Sequence, residues 1–213
     1  GNLSEILNSE IIFNNENVKI KLKGNNFLWA SDLRGFYKTY PKQQWSNHII
    51  DLLNCLNDEH VILTQDDYFL QNYNLQIIEN EYHRIKTNNI DCIHLSGYVN
   101  VEKHSNLIKK KKYFLNTQVA IWKRKSLIES LEKNINPWQW EYFGHKNLKR
   151  DFRIEKSEIR GLNYFAIIKQ SKLLKETKKY FPEYFDILNK KFPIYKFNFL
   201  YTKLKTLKNV YDL

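Results

Sequence analysis

The sequence predicts an α/β fold, a mixed sheet flanked by helices, on three observations. Trp45 to Leu56 sets Trp45, His48, Ile49, Leu52, Leu53 and Leu56 on one helical face, and Asn57 and Asp58 end it. Val61 to Thr64 is a short apolar, β-branched run, the pattern of a strand buried on both faces in a parallel-type sheet. Leu75 to Thr87 carries Ile77, Ile78, Tyr82 and Ile85 at helical spacing, closes on Asn88 and Asn89, and gives way to a strand over Ile90 to Leu95. Helix, strand, helix, strand in this order signals a βαβ unit.

A chain of 213 residues suits one domain, and at that size about 70% of the unfolded chain's surface can be buried. Aromatic residues at 15% and hydrophobic residues at 42% argue for a folded globule, and a mean hydropathy of -0.61 for a polar surface. The net charge of +11 and a pI near 9.4 favour acidic partners: nucleic acid, anionic lipid headgroups, or phosphorylated substrates such as nucleotide sugars. The two cysteines, Cys55 and Cys92, sit in apolar segments, which predicts buried free thiols and a reducing, cytoplasmic setting. No run of about 18 apolar residues and no signal peptide is present, so the expectation is a soluble or peripheral protein. Methionine is absent, and Gly1 reads as the scar of a cleaved tag or a truncation.

Ahead of the first long helix, Asn2 to Asn8 has helical spacing, and Ile11 to Phe13 and Val18 to Leu22 are short strand candidates. Asn26 to Tyr40 is aromatic and mixed in period, the character of a loop or short helix beside a pocket. Further on, the lysine run Lys109 to Lys112 reads as a solvated loop, and Tyr113 to Trp122 as a strand. Ser126 is a plausible N-cap for a helix to Leu131, stopped by Asn136 and Pro137. Asn163 to Lys169 reads as a final strand and Ser171 to Tyr180 as a lysine-rich helix.

The Val61 to Thr64 run stops on Gln65, Asp66 and Asp67. Ligands of open α/β sheets bind in the crevice at the carboxyl ends of strands, so acids there are offered to a substrate. Neighbouring side chains on an extended backbone point to opposite sides, so Asp66 and Asp67 are expected to do different work. An Asx turn explains the pair equally well.

Several pieces in order resemble a family. They are the helix from Trp45, the strand ending in an acid pair followed by Tyr68, Phe69 and Leu70, and the strand Ile93, His94, Leu95, Ser96. Next come Asn116, Thr117, Gln118, Ala120, Ile121 and Trp122, and finally Asn136, Pro137, Trp138 and Glu141. Together they look like bacterial GT-A-type glycosyltransferases of surface-polysaccharide synthesis, capsule or lipopolysaccharide, over roughly Trp45 to Glu141. The resemblance implies a GT-A-like, Rossmann-like sheet over residues 1–180, followed by a basic aromatic C-terminal helical tail over residues 181–213.

It also implies roles. Asp67 becomes the ligand of a manganese or magnesium ion, a hard cation that offsets the charge developing on a diphosphate leaving group. Asp66 would contact sugar or ribose hydroxyls in a catalytic role, and Gln65, Lys146 and Arg150 join Asp66 and Asp67 around the nucleotide-sugar donor. Gln65 stands where such enzymes usually carry a first acid, which implies weaker metal affinity and leaves a metal-independent enzyme open. Glu141 falls where the base that deprotonates the acceptor hydroxyl is expected. Trp138, Trp140 and Gln118 would bind the glycan or lipid-linked glycan acceptor, with indole faces packing on pyranose faces.

The tail interleaves Phe192, Tyr195, Phe197, Phe199, Leu200, Leu204 and Leu207 with six lysines, a pattern suited to an anionic membrane surface on the cytoplasmic side. The alternatives are a nucleic-acid-binding protein, a metal-dependent nuclease or nucleotidyltransferase, and an inactive glycan-binding relative. No zinc spacing, glycine-rich phosphate loop or aromatic RNP pattern accompanies the charge, so no specific nucleic acid is expected.

Overall fold

The computed structural model describes residues 11–13, 27–29, 44–64, 68–95, 107–108, 110–166, 168–169, 172–175, 177–180 and 182–191. The elements in chain order are β1 (Ile11–Phe13), β2 (Phe27–Trp29), α1 (Trp45–Cys55), β3 (His60–Leu63), β4 (Tyr68–Tyr73), α2 (Leu75–Thr87) and β5 (Cys92–His94). They continue with β6 (Ala120–Lys123), α3 (Arg124–Ser130), α4 (Pro137–Phe143), β7 (Ile154–Lys156), β8 (Leu162–Ala166), β9 (Ile168–Lys169), β10 (Lys172–Leu173), α5 (Thr177–Tyr180) and α6 (Pro182–Lys191). The protein is mixed α/β. The expected helix over residues 2–8, the strand over 18–22 and the tail beyond 191 fall outside the described residues.

The central sheet has the order β3-β6-β5-β7. β6 runs antiparallel to both β3 and β5, and β5 runs parallel to β7, so β3, β5 and β7 share one direction and β6 opposes them. The chain leaving β3 returns through α2 to β5 in the same direction, which realises the expected βαβ crossover with β6 inserted between its strands. β4 and β8 pair antiparallel as a separate two-stranded ribbon, while β1 with β2 (parallel) and β9 with β10 (antiparallel) form two smaller ones.

Side chains of successive strand residues point to opposite faces, and that alternation divides the core. Cys92, Ala120 and Trp122 face one layer with Ile49 and Leu53 of α1, Leu127 of α3 and Trp140 of α4. Ile93 and Ile121 face the other, against Ile78 and Ile85 of α2 and Leu162 of β8. Trp122, Trp140, Ile85 and Ile93 are essentially without exposure, and each such side chain contributes about 1.5–3 kcal/mol of burial. Beside the second layer, Glu155 of β7 accepts from Arg84 of α2 and from Arg153, both at 2.6 Å, which clamps helix to strand through a buried carboxylate.

Three local expectations are corrected. β3 is not buried on both faces: it is the edge of the central sheet, and Ile62 is 37% exposed. The strand expected over Tyr113 to Trp122 begins only at Ala120: the Asn116 side chain bonds locally to the Tyr113 carbonyl and the Gln118 amide, and Thr117 gives its amide and hydroxyl to Glu141 instead of to a ladder. Ser126 is no N-cap, since α3 starts two residues earlier and its hydroxyl donates to Asp91 at 2.6 Å. Both cysteines are free, as expected, and burial pushes the Cys92 thiol well up. No described helix is long and apolar enough to cross a membrane.

Candidate active site

α4 supplies the candidate base. Asn136 caps it through a reciprocal box, accepting from the Gln139 amide while the Gln139 side chain accepts from the Asn136 amide, both at 2.9 Å, and Pro137 fills the first turn. The residues expected to stop a helix therefore start one. Positions two apart on a helix point nearly opposite ways. Trp140 accordingly enters the core, where its indole N–H donates to the Ser130 carbonyl at 3.0 Å between Trp45 and Trp122, while Trp138 stays 46% exposed. Glu141 lies one turn beyond Trp138, on the neighbouring part of the surface.

The partner of Glu141 comes from the chain entering β6. Ala120 pairs with Leu63 on one side and His94 on the other, so residues 116–119 lie at the edge where β3 and β5 end. There Asn116 makes an Asx turn, accepting from the Gln118 amide at 3.0 Å and donating to the Tyr113 carbonyl at 3.3 Å. The turn gives Glu141 Oε1 two donors from Thr117, the amide at 2.8 Å and the hydroxyl at 2.7 Å. The Tyr113 amide also donates to the Glu141 carbonyl at 2.9 Å. The second carboxyl oxygen of Glu141 has no hydrogen bond among the described residues.

Burial pushes the Glu141 carboxyl up, and the two Thr117 donors only partly offset it, so its pKa lies above the usual carboxylate range. His94, at the end of β5, is wholly buried, and burial pulls its pKa down to about 4, which keeps the imidazole neutral at physiological pH. His94 Nε2 lies 3.5 Å from the Asn116 amide nitrogen. His94 Nδ1, Gln118 Oε1 and His145 Nδ1 are buried without a hydrogen-bond partner among the described residues. A carboxylate fixed through one oxygen, free at the other and raised in pKa is equipped to take a proton from a bound hydroxyl.

The expected site residues divide. Glu141 is hydrogen-bonded to Thr117, the chain neighbour of Gln118, and Trp138 lies one turn before Glu141 on α4, while Lys146 follows in a 3-10 turn over Gly144–Lys146, its Nζ 5.7 Å from the Phe143 ring centroid. β3 brings the chain to the same edge at Leu63 and Thr64, immediately before Gln65, Asp66 and Asp67, which lie outside the described residues. Among the described residues, no group of three or more His, Cys, Asp or Glu side chains is placed to hold a metal ion.

Two assignments do not hold. Trp140 has no exposed face for a sugar. Arg150 lies at the amino end of β5, where its five N–H groups go to Glu129, to both oxygens of Asp91, to Ser126 and to the Asp151 carbonyl. No donor remains for a phosphate.

Thr117, Asn116 and His94 are the site residues that sequence reasoning passed over as functional. The available signal was a polar triplet, Asn116, Thr117, Gln118, inside the otherwise apolar run from Tyr113 to Trp122. Comparison of the chain with family models, with characterised proteins and with solved structures finds no match.

Proposed function

We propose that the protein is a glycosyltransferase of GT-A-like architecture that moves a sugar from a nucleotide donor to a hydroxyl of a glycan or lipid-linked glycan. The observation that carries this reading is the carboxyl group of Glu141, anchored on Thr117 at the carboxyl edge of a mixed α/β sheet, with no hydrogen bond to its second oxygen among the described residues. Sugar transfer makes an acceptor hydroxyl nucleophilic as its proton leaves, and a raised carboxylate within reach is suited to receive that proton. Asp66 and Asp67, two and three residues beyond Thr64, are the proposed donor-side acids, with Asp67 the candidate ligand for manganese or magnesium. Bound there, the cation would supply charge stabilisation to the departing diphosphate.

In this reading the chain acts in surface-polysaccharide assembly at the inner face of the membrane, with the basic residues beyond 180 near the lipid. A nucleic-acid role has less support, because Arg84, Arg150 and Arg153 are spent on internal carboxylates. The test is release of nucleoside diphosphate from a panel of nucleotide sugars with a mixed glycan acceptor, with and without manganese. Turnover of one donor, lost in Glu141→Gln and in Asp67→Ala, is the expected result. No turnover of any donor, together with no thermal stabilisation by any nucleoside diphosphate, would overturn the reading.

A further inference from the structure

The lysine run that reads as a solvated loop ends in an aromatic setting. Lys112 places its ammonium 3.4 Å from the ring centroid of Tyr142 and 5.2 Å from that of Tyr113, and the two rings meet edge to face at 6.2 Å. Tyr113 is 44% exposed, with backbone φ of 64°, a conformation that L side chains rarely adopt. The hydrogen bond that its amide donates to the Glu141 carbonyl ties this lysine and aromatic face to the helix that carries the candidate base. On that helix Trp138 precedes Glu141 and Tyr142 by three and four positions, the spacing of surface neighbours.

We propose that this face is the acceptor subsite and that it selects a glycan whose terminal region carries a carboxylate, a uronic-acid type of sugar. Apolar pyranose faces pack on exposed aromatic rings, which Trp138 and Tyr113 offer. Lys112 then provides the complementary charge. An ammonium held over a ring face keeps donors directed away from the ring, and a carboxylate bound there gains a charge-assisted hydrogen bond. Lys110 is already paired with Asp151 at 3.4 Å, while Lys112 stands over Tyr142 and Lys146 over the neighbouring Phe143 ring. The subsite rests on the transferase reading for its role as acceptor site, but its preference for acidic glycans is a binding property that stands apart from turnover.

Calorimetry on the full chain, without donor, separates the two. The probes are an oligogalacturonate and its carboxyl-reduced neutral counterpart. The acidic oligosaccharide is expected to bind about fivefold to tenfold tighter, Lys112→Gln to erase most of that preference, and Tyr142→Leu to weaken it with the fold retained by circular dichroism. Equal affinity for the two probes would overturn the proposal. So would a preference undiminished in Lys112→Gln combined with Lys146→Gln, or competition by inorganic polyphosphate as effective as by the oligogalacturonate, which would mark a generic polyanion surface. Acidic preference without turnover of any nucleotide sugar, and without thermal stabilisation by any nucleoside diphosphate, would instead sink the transferase reading and leave this subsite standing.

Discussion

Thr117 grips a single carboxyl oxygen of Glu141 with both its amide and its hydroxyl, at 2.8 and 2.7 Å. Both donors favour the charged carboxylate, against a burial that favours the neutral acid. Removing the hydroxyl in Thr117→Val leaves burial in place and takes away one opposing donor, so the Glu141 pKa rises further. The acid limb of the pH profile of kcat/KM is therefore expected to move to higher pH, with Glu141→Gln lowering kcat by about 10²–10⁴. A limb that stays in place in Thr117→Val would detach Glu141 from proton transfer.

Arg150 is held in a network of internal hydrogen bonds around Asp91. Burial alone would push the Asp91 carboxyl up, but donors from Arg150, Ser126 and the Arg153 amide outweigh it and leave the pKa below its usual value. A carboxylate depressed in the folded state contributes stability that is complete above its unfolded value, near pH 4, and is lost as pH falls through the lower folded value. Asp91→Asn should cost about 1–3 kcal/mol at neutral pH, tempered by the solvent exposure of Arg150, and should reduce the acid dependence of urea midpoints. If Arg150→Gln instead abolished donor binding while leaving the midpoint unchanged, the structural assignment would be wrong.

Trp138 and Trp140 make opposite predictions from one helix. Trp140→Ala opens a cavity between Trp45 and Trp122 and strands the Ser130 carbonyl, at a cost of about 3–5 kcal/mol in chemical denaturation. Trp138→Ala, on an exposed side chain, should change stability by less than about 0.5 kcal/mol and appear instead as a raised acceptor KM. Equal losses of stability in the two variants would contradict the helix orientation.

The long periodic segments were legible in advance. α2 occupies Leu75–Thr87, the span that its apolar spacing marks out, and α1 ends one residue before Leu56. Short elements were harder to read, because one residue type carries several meanings. Asn136 and Pro137 signal the end of a helix as readily as its first turn, and only the reciprocal bonds with Gln139 decide. The edge position of β3 depends on which strand pairs beside it, a long-range choice that four apolar residues do not encode. At the site, a glutamate near tryptophans was visible as chemistry. Its partner was not, since the bond from Thr117 spans 24 positions and needs β6 to bring the turn at Asn116 against α4.

His94 offers a pH signature of the fold that is independent of catalysis. The imidazole is wholly buried, and burial holds its pKa at about 4, against about 6.5 when the chain is unfolded and hydrated. Between these values the unfolded chain binds a proton that the folded chain refuses, so stability is full above pH 6.5 and declines as pH falls toward 4. The gap corresponds to a loss on the order of 3 kcal/mol across that interval. Urea denaturation from pH 7.5 to pH 4.5 should show this slope, and His94→Gln, which keeps a neutral polar side chain beside Asn116, should flatten it. A slope that persists undiminished in His94→Gln would place the titrating group elsewhere and remove the neutral imidazole from this edge of the sheet.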